Sequence, residues 1–196
     1  MRLIITRHGE TEENKNKILQ GHLPGKLSEL GIEQAKKLAS RLKDEKIDII
    51  FSSDLARASD TAKEISKYHK GIPLILVEEL REKDLGEFSG KSWGDVNDFN
   101  ELIDSDSGSN GVETRKSVEL KVRRLFNSVF SKYKNSNVLF VAHNGTNKIL
   151  MRLILKEANL NQEDLTDQHN ASVTIFEINE DKNHKLYVFN CKKHLD

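Results

Sequence analysis

The sequence predicts an α/β fold: a three-layer α/β/α sandwich around a mainly parallel sheet, with an antiparallel strand at one side. Three observations predict it. Short apolar runs recur at 3–5, 47–51, 74–77 and 138–142, and those at 3–5, 47–51 and 138–142 have the pattern of strands buried on both faces. Segments with helical apolar spacing separate these runs through residue 156, which implies right-handed βαβ units. Two alternating segments, 172–178 and 185–189, then close the chain as a hairpin pair. A length of 196 residues suffices for one domain with a sizeable core and is short for two, so residues 1–196 read as a single domain.

Taken in order, the first strand, Leu3-Ile4-Ile5, stops at Arg7-His8-Gly9-Glu10-Thr11. Residues 12–25 are polar and turn-rich and read as a long loop. Ser28 is placed to cap a helix reaching about Lys43, with Leu30, Ala35, Leu38 and Leu42 at helical spacing. After the second strand, Ser52, Ser53 and Asp54 offer caps for a helix marked by Leu55, Ala58, Ala62 and Ile65. Pro73 precedes the third strand. Residues 78–98 lack a period and read as a loop, with helical character near 95–103, and the polar run 104–111 reads as a mobile surface loop. Val118, Val122, Leu125, Phe126, Val129, Phe130 and Tyr133 make the clearest helical stripe in the chain. The fourth strand leads through His143 into a helix over 147–156, and another turn is expected at 162–167. No internal repeat is evident.

Composition excludes several function classes. Lys+Arg and Asp+Glu number 31 each, for a formal net charge of +0, which argues against a nucleic-acid partner while leaving room for a local basic pocket. No apolar stretch approaches the roughly 20 residues that span a bilayer, and the opening strand is too short for a signal-peptide core. The single cysteine, Cys191, offers neither an internal disulfide nor a thiol metal site and fits a reducing compartment. A cytoplasmic protein without membrane contact is expected.

Ligands of open α/β sheets bind beyond the carboxyl ends of the strands, near the point where strand order reverses. The first strand is followed by Arg7 and His8; the second by Ser52, Ser53 and, one helical turn on, Arg57; the third by Glu78, Glu79, Arg81 and Glu82; the fourth by His143 and Asn144. Two arginines, two histidines and at least one carboxylate therefore reach one edge of the sheet. That set suits phosphoryl transfer. A neutral histidine can attack phosphorus, arginine forks bind phosphoryl oxygens, and a second, protonated histidine can neutralise developing charge. A carboxylic acid in a dry pocket can protonate the leaving oxygen and then deprotonate the attacking water. A metal site is disfavoured, since the chain has no H-x-H, no H-E-x-x-H and no cysteine cluster. No cofactor is expected.

Five segments in order resemble the histidine phosphatase superfamily, with its phosphoglycerate mutase-like fold. They are Arg7-His8-Gly9-Glu10-Thr11-x-x-Asn14; Gln20-Gly21 with Leu27-Ser28-x-x-Gly31; Ser52-Ser53-Asp54-Leu55-x-Arg57-Ala58-x-x-Thr61-Ala62; Leu80-Arg81-Glu82-x-x-x-Gly86; and Val141-Ala142-His143. The resemblance spans residues 1 to about 178 and implies roles. His8 becomes the phosphorylated nucleophile, Arg7, Arg57 and His143 complete the phosphate pocket, and Glu82 is the proton donor. Asn14, Gln20 and Gly21 line the transferring phosphate or substrate. The chain departs from the family pattern at His22 (usually arginine), Pro24 (aspartate), Lys26 (proline), Asn144 (glycine) and Ser89 (glutamate in many relatives). His22 and Asn144 are candidate substrate contacts that would alter preference at the rim.

The implied activity is a phosphomonoesterase acting on a small phosphorylated metabolite. Phosphoglycerate mutase is the runner-up, and a catalytically silent phospho-ligand-binding module is the alternative of another class. Hydrolysis is favoured over mutation because the substrate-covering segment, about 86–117, is short for a lid. Arg115 and Lys116 are also its only adjacent basic pair. The natural substrate and the oligomeric state, a homodimer included, are not readable from the sequence.

Overall fold

Alternate residues of a strand point to opposite faces, and β1 (Arg2–Arg7) shows what this apolar run does. Leu3 and Ile5 enter one core layer and Ile4 the other, all at 0% exposure. β2 (Ile49–Ser53) and β4 (Asn137–Ala142) repeat the arrangement. Ile49, Phe51, Val138, Phe140 and Ala142 lie on the first side, and Ile50, Leu139 and Val141 on the second. β3 (Leu74–Val77), β5 (Val173–Glu177) and β6 (Lys185–Cys191) complete a six-stranded sheet ordered β3-β2-β4-β1-β5-β6. β1 to β4 pair in parallel, whereas β5 runs against both of its neighbours. This computed structural model describes residues 1–96, 106–161 and 165–196.

The α-helices among the described residues are α1 (Glu12–Lys15), α2 (Glu29–Leu42), α3 (Ala56–Ser66), α4 (Arg115–Lys132) and α5 (Asn144–Glu157). α2 and α3 cover one face of the sheet through Leu38, Leu42, Ala58, Ala62 and Ile65. α4 and α5 cover the other through Val118, Val122, Phe126, Leu150 and Ile154. The three-layer α/β fold is thus as the sequence predicts.

Several elements differ from expectation. The third strand forms as expected, but β3 lies at the sheet edge with Ile75 39% and Leu76 48% exposed, because no strand among the described residues pairs with its outer side. Leu30 is 49% exposed; the buried face of α2 starts at Gly31 and continues with Ala35, Leu38, Ala39 and Leu42. Ser28 does cap α2, accepting from the Gly31 amide at 3.0 Å. The caps expected for α3 are absent: Leu55 is its N-cap and makes no side-chain cap bond. Asp54 is instead held by Arg81 at 2.7 and 2.5 Å. The loop over 12–25 contains α1, closed by a capping box between Thr11 and Asn14. Of the expected helix near 95–103, Asp95 ends a 3-10 turn and residues 97–103 lie outside the described residues. The same holds for 104–105 of the polar loop and for 162–164 of the last expected turn, while residues 165–167 have no regular structure.

The first two sequence motifs meet at a backbone contact. A Cβ on Gly9 would overlap the carbonyl oxygen of Gly31, and a Cβ on Gly31 would overlap that of Glu10. The segment after β1 therefore lies directly on the first turn of α2, a closeness that only glycine permits. Gly31→Ala is expected to lower stability by about 2 kcal/mol or more, since backbone rather than a flexible side chain must move. Urea unfolding reads this, and a loss below about 0.5 kcal/mol would mean that the two segments separate freely.

Candidate active site

β1 and β4 are neighbours in the sheet, but their following connections leave in opposite directions, toward β2 and toward β5. This is the switch point where an α/β sheet opens a crevice. Arg7 pairs with Ala142 in register, so His8 and His143 are the next residue of each strand. Their rings lie 5.1 Å apart between centroids.

The hydrogen bonds assign the tautomer of each ring. His8 Nδ1 is 2.7 Å from the carbonyl oxygen of Gly9. A carbonyl only accepts, so Nδ1 carries the proton and Nε2 of the neutral ring keeps its lone pair. Burial, then the charges of Arg57 and Arg7, hold the His8 pKa well below the ordinary histidine value, against the opposing Gly9 bond. For His143, Nδ1 accepts from Arg57 Nε at 3.2 Å, so the neutral ring's proton is on Nε2, which faces Ser53 Oγ at 2.9 Å. Burial and the Arg57 charge depress its pKa strongly as well. The expectation of a protonated second histidine is therefore corrected: surrounded by arginine and desolvated, His143 is neutral. At 0% exposure it also stands behind His8 and Arg57 rather than at the cavity surface.

Arg57 is 1% exposed. Nη1 donates to the carbonyls of Leu23 (2.6 Å) and Pro24 (3.5 Å), and Nη2 to that of Gly21 (2.9 Å). With Nε on His143, four of the five guanidinium hydrogens are engaged and one on Nη2 remains. Burial brings its pKa down to about 10, against the nearby carboxylates of Glu82 and Glu13, so it stays cationic at neutral pH. Arg7 donates from Nη1 to the carbonyl of Gln168 at 2.6 Å, while its buried Nε has no partner.

Glu82 takes a different position from the dry pocket expected of an acid. Half-buried, it crosses to the N-terminus of α5. Oε1 accepts from the amides of Lys83 and Thr146 (3.1 Å each), and Oε2 from that of Gly145 (3.0 Å). These amides fix the carboxyl group at the first turn of α5. A Cβ on Gly145 would lie 2.6 Å from Oε1, so glycine at this position makes room for the carboxylate. Arg81, tied to Asp54 and accepting at its carbonyl from Thr146 Oγ1 (2.7 Å), anchors the segment that carries Glu82.

A cavity of about 310 Å³ brings together Arg7, His8, Asn14, Gln20, Gly21, Arg57, Glu82 and Asn144. His22 does not line it. Its Nε2 lies 2.8 Å from the carbonyl of Glu82 and its Nδ1 3.4 Å from Asp84. The structure thus places His22 as a strap between two loops and not on the cavity wall. Asn170 likewise stays outside the cavity wall, bonding the His8 carbonyl at 3.1 Å. Among the described residues no group of three or more His, Cys, Asp or Glu side chains is arranged to hold a metal. No described helix is long and apolar enough to cross a membrane.

Sequence reasoning missed Lys83, Trp93, Arg115, Lys148, Arg152 and Asp167 on the cavity wall. The absence of a dense basic run is thus misleading, since basic groups converge from separate segments. The signal for two of them is present: Asn144, Lys148 and Arg152 recur every four residues, one face of a helix that begins directly after His143.

The histidine phosphatase superfamily (branch 1) model matches residues 3–191. A putative phosphoserine phosphatase 2 of Hydrogenobacter thermophilus is 33% identical over 95% of this chain and 94% of its own length. The adenosylcobalamin/alpha-ribazole phosphatase of Escherichia coli is 30% identical over 79% of each chain. Among solved structures, mycobacterial glucosyl-3-phosphoglycerate phosphatase in complex with VO3 superposes with a TM-score of 0.85 at 30% identity, covering 97% of this chain and 99% of that one. With this match across its length, the chain belongs to the histidine phosphatase superfamily.

Proposed function

We propose that the protein is a metal-independent phosphomonoesterase of small metabolites that works through a phosphohistidine on His8. The observation that carries this reading is the state of His8: a buried neutral ring, its Nδ1 proton fixed on Gly9, with two arginines beside it. Family membership and relatives named as phosphatases support it. Nε2 attacks phosphorus, the ester P–O bond breaks, and Glu82 delivers a proton to the departing oxygen. Oε2 of Glu82 accepts one hydrogen bond where Oε1 accepts two from amides, so Oε2 has room for that proton. Water then attacks the phosphohistidine, Glu82 takes the water proton, and the P–N bond breaks to return the lone pair to Nε2. Arg7 and Arg57 neutralise the phosphoryl oxygens, the side-chain amide of Asn14 donates to them, and Gln20 and Asn144 on the cavity wall orient the ester. His143 acts through Arg57, fixing the plane of its fork. A cytoplasmic location fits this chemistry and the lone cysteine.

The test is hydrolysis of p-nitrophenyl phosphate in the presence of a chelator, with acid-labile phosphate trapped on the protein during turnover. Both are expected. Turnover that needs added metal, or no trapped phosphate, argues for another mechanism. Interconversion of phosphoglycerates outpacing phosphate release would make the protein a mutase.

A further inference from the structure

The cavity continues past the phosphate end along the exposed edge of α5, and its charges there are unusual. Half-buried arginines elsewhere in the chain meet carboxylates: Arg2 pairs with Glu45 (2.7 Å), Arg81 with Asp54 (2.5 Å) and Arg123 with Glu119 (2.8 Å). Arg115, at the first turn of α4, and Arg152, two turns into α5, are half-buried too, and both line the cavity. Neither has a hydrogen bond or an ion pair among the described residues. Their neighbour Lys148 differs, being paired with Asp167 at 2.9 Å. Arg115 also stands in the helical turn where a cation opposes the macrodipole. Two guanidinium groups drawn from separate helices into one partly desolvated wall, neither paired with a carboxylate among the described residues, favour an anion that joins them. The phosphate cannot be that anion for both ends at once, because His8, Arg7 and Arg57 already hold it at the strand ends. Ile18, Leu85 and Ile149 line the same cavity, an apolar surface that suits a short carbon skeleton.

We propose that Arg115 and Arg152 form a second anion subsite, so that preferred substrates are small phosphate monoesters bearing a further anionic group, a carboxylate or a second phosphate. The proposal rests on the phosphomonoesterase reading. Matched substrate pairs test it. 3-Phosphoglycerate against glycerol 3-phosphate differs by a carboxylate, and fructose 1,6-bisphosphate against fructose 6-phosphate by a phosphate. The wild-type enzyme is expected to prefer the more anionic member of at least one pair by about 10-fold or more in kcat/KM, and the responding pair identifies the group. Arg115→Gln and Arg152→Gln should each remove most of that preference by raising KM, while p-nitrophenyl phosphate hydrolysis stays within about twofold. Absence of preference in both pairs overturns the proposal, as does an equal loss on p-nitrophenyl phosphate. If the wild type hydrolyses nothing, the phosphatase reading fails, and calorimetric binding of the same pairs still decides the subsite: retained discrimination that the two variants abolish supports it, and equal binding refutes it.

Discussion

Replacing His8 by alanine is expected to lower phosphate-ester hydrolysis by about 10³-fold or more while leaving the fold in place. The size follows from what is lost. The imidazole is the proposed nucleophile beside Arg7 and Arg57, and without it water must attack the ester directly. The arginines and Glu82 remain, so a residual rate from positioning and charge neutralisation persists. The trapped acid-labile phosphate should disappear altogether. A variant that keeps more than about a tenth of the wild-type rate would show that phosphorus is attacked by something other than this ring. The charge state of the nucleophile is tested separately by nitrogen NMR of the histidine side chains. Burial and the two guanidinium charges depress the His8 pKa, so the ring stays neutral at pH values where an ordinary histidine is half-protonated. Its Nδ1-protonated tautomer should therefore still be present at about pH 6. The linkage has the corresponding sign: a group whose folded pKa is depressed binds protons more readily unfolded, so His8 and His143 reduce stability as pH falls through the ordinary histidine range.

How much of this was legible depends on whether the cause is local. The strands were, because β1, β2 and β4 are buried on both faces and such burial demands an unbroken apolar run. The edge position of β3 was not, because Ile75 and Leu76 have the same apolar composition and edge position is a property of the sheet and not of the segment. Ser28 was readable because its cap closes over three residues. Asp54 was not, because its partner Arg81 comes 27 residues later. Arg7 and His8 were legible as a motif, yet what holds Arg7 is remote. Its Nη1 meets the Gln168 carbonyl 161 residues away, and the Gln168 side chain is itself bonded to Asn147 (2.8 Å) and Thr174 (3.0 Å). No spacing rule reaches such a network. His22 shows a further limit. A departure from a family pattern at a loop position suggested a substrate contact, whereas the fold sets His22 against the Glu82 carbonyl and beside Asp84. The rim arginines fall between these cases, since Arg152 follows from helical spacing and Arg115 needs the packing of α4 against α5.

Arg57→Lys is expected to be nearly as damaging as removal of the side chain, lowering kcat/KM by about 10²-fold or more and stability by about 3 kcal/mol. The charge survives in this variant, so the prediction isolates geometry. Lysine offers one ammonium where the native fork reaches the carbonyls of Gly21, Leu23 and Pro24 and the Nδ1 of His143 together. An ammonium placed on the carbonyls leaves His143 Nδ1 without a donor in a fully buried site, and one placed on His143 leaves the carbonyls unsatisfied. Either choice carries the penalty of a buried, unpaired polar group. It also frees the 21–24 loop, which carries Gly21 on the cavity wall and, through His22, the strap to Glu82. Loss of activity should therefore appear in kcat as well as KM, because His143, the 21–24 loop and, through His22, the Glu82 segment are tied to this one side chain. Chemical unfolding and steady-state kinetics of Arg57→Lys beside Arg57→Met read the two effects. If lysine restores both stability and kcat to within about threefold of wild type, positive charge alone is what the site requires. If it behaves like methionine, the fork holds the loop, the second histidine and the phosphate in one arrangement, and the depressed pKa of about 10 is the electrostatic cost of burying it there.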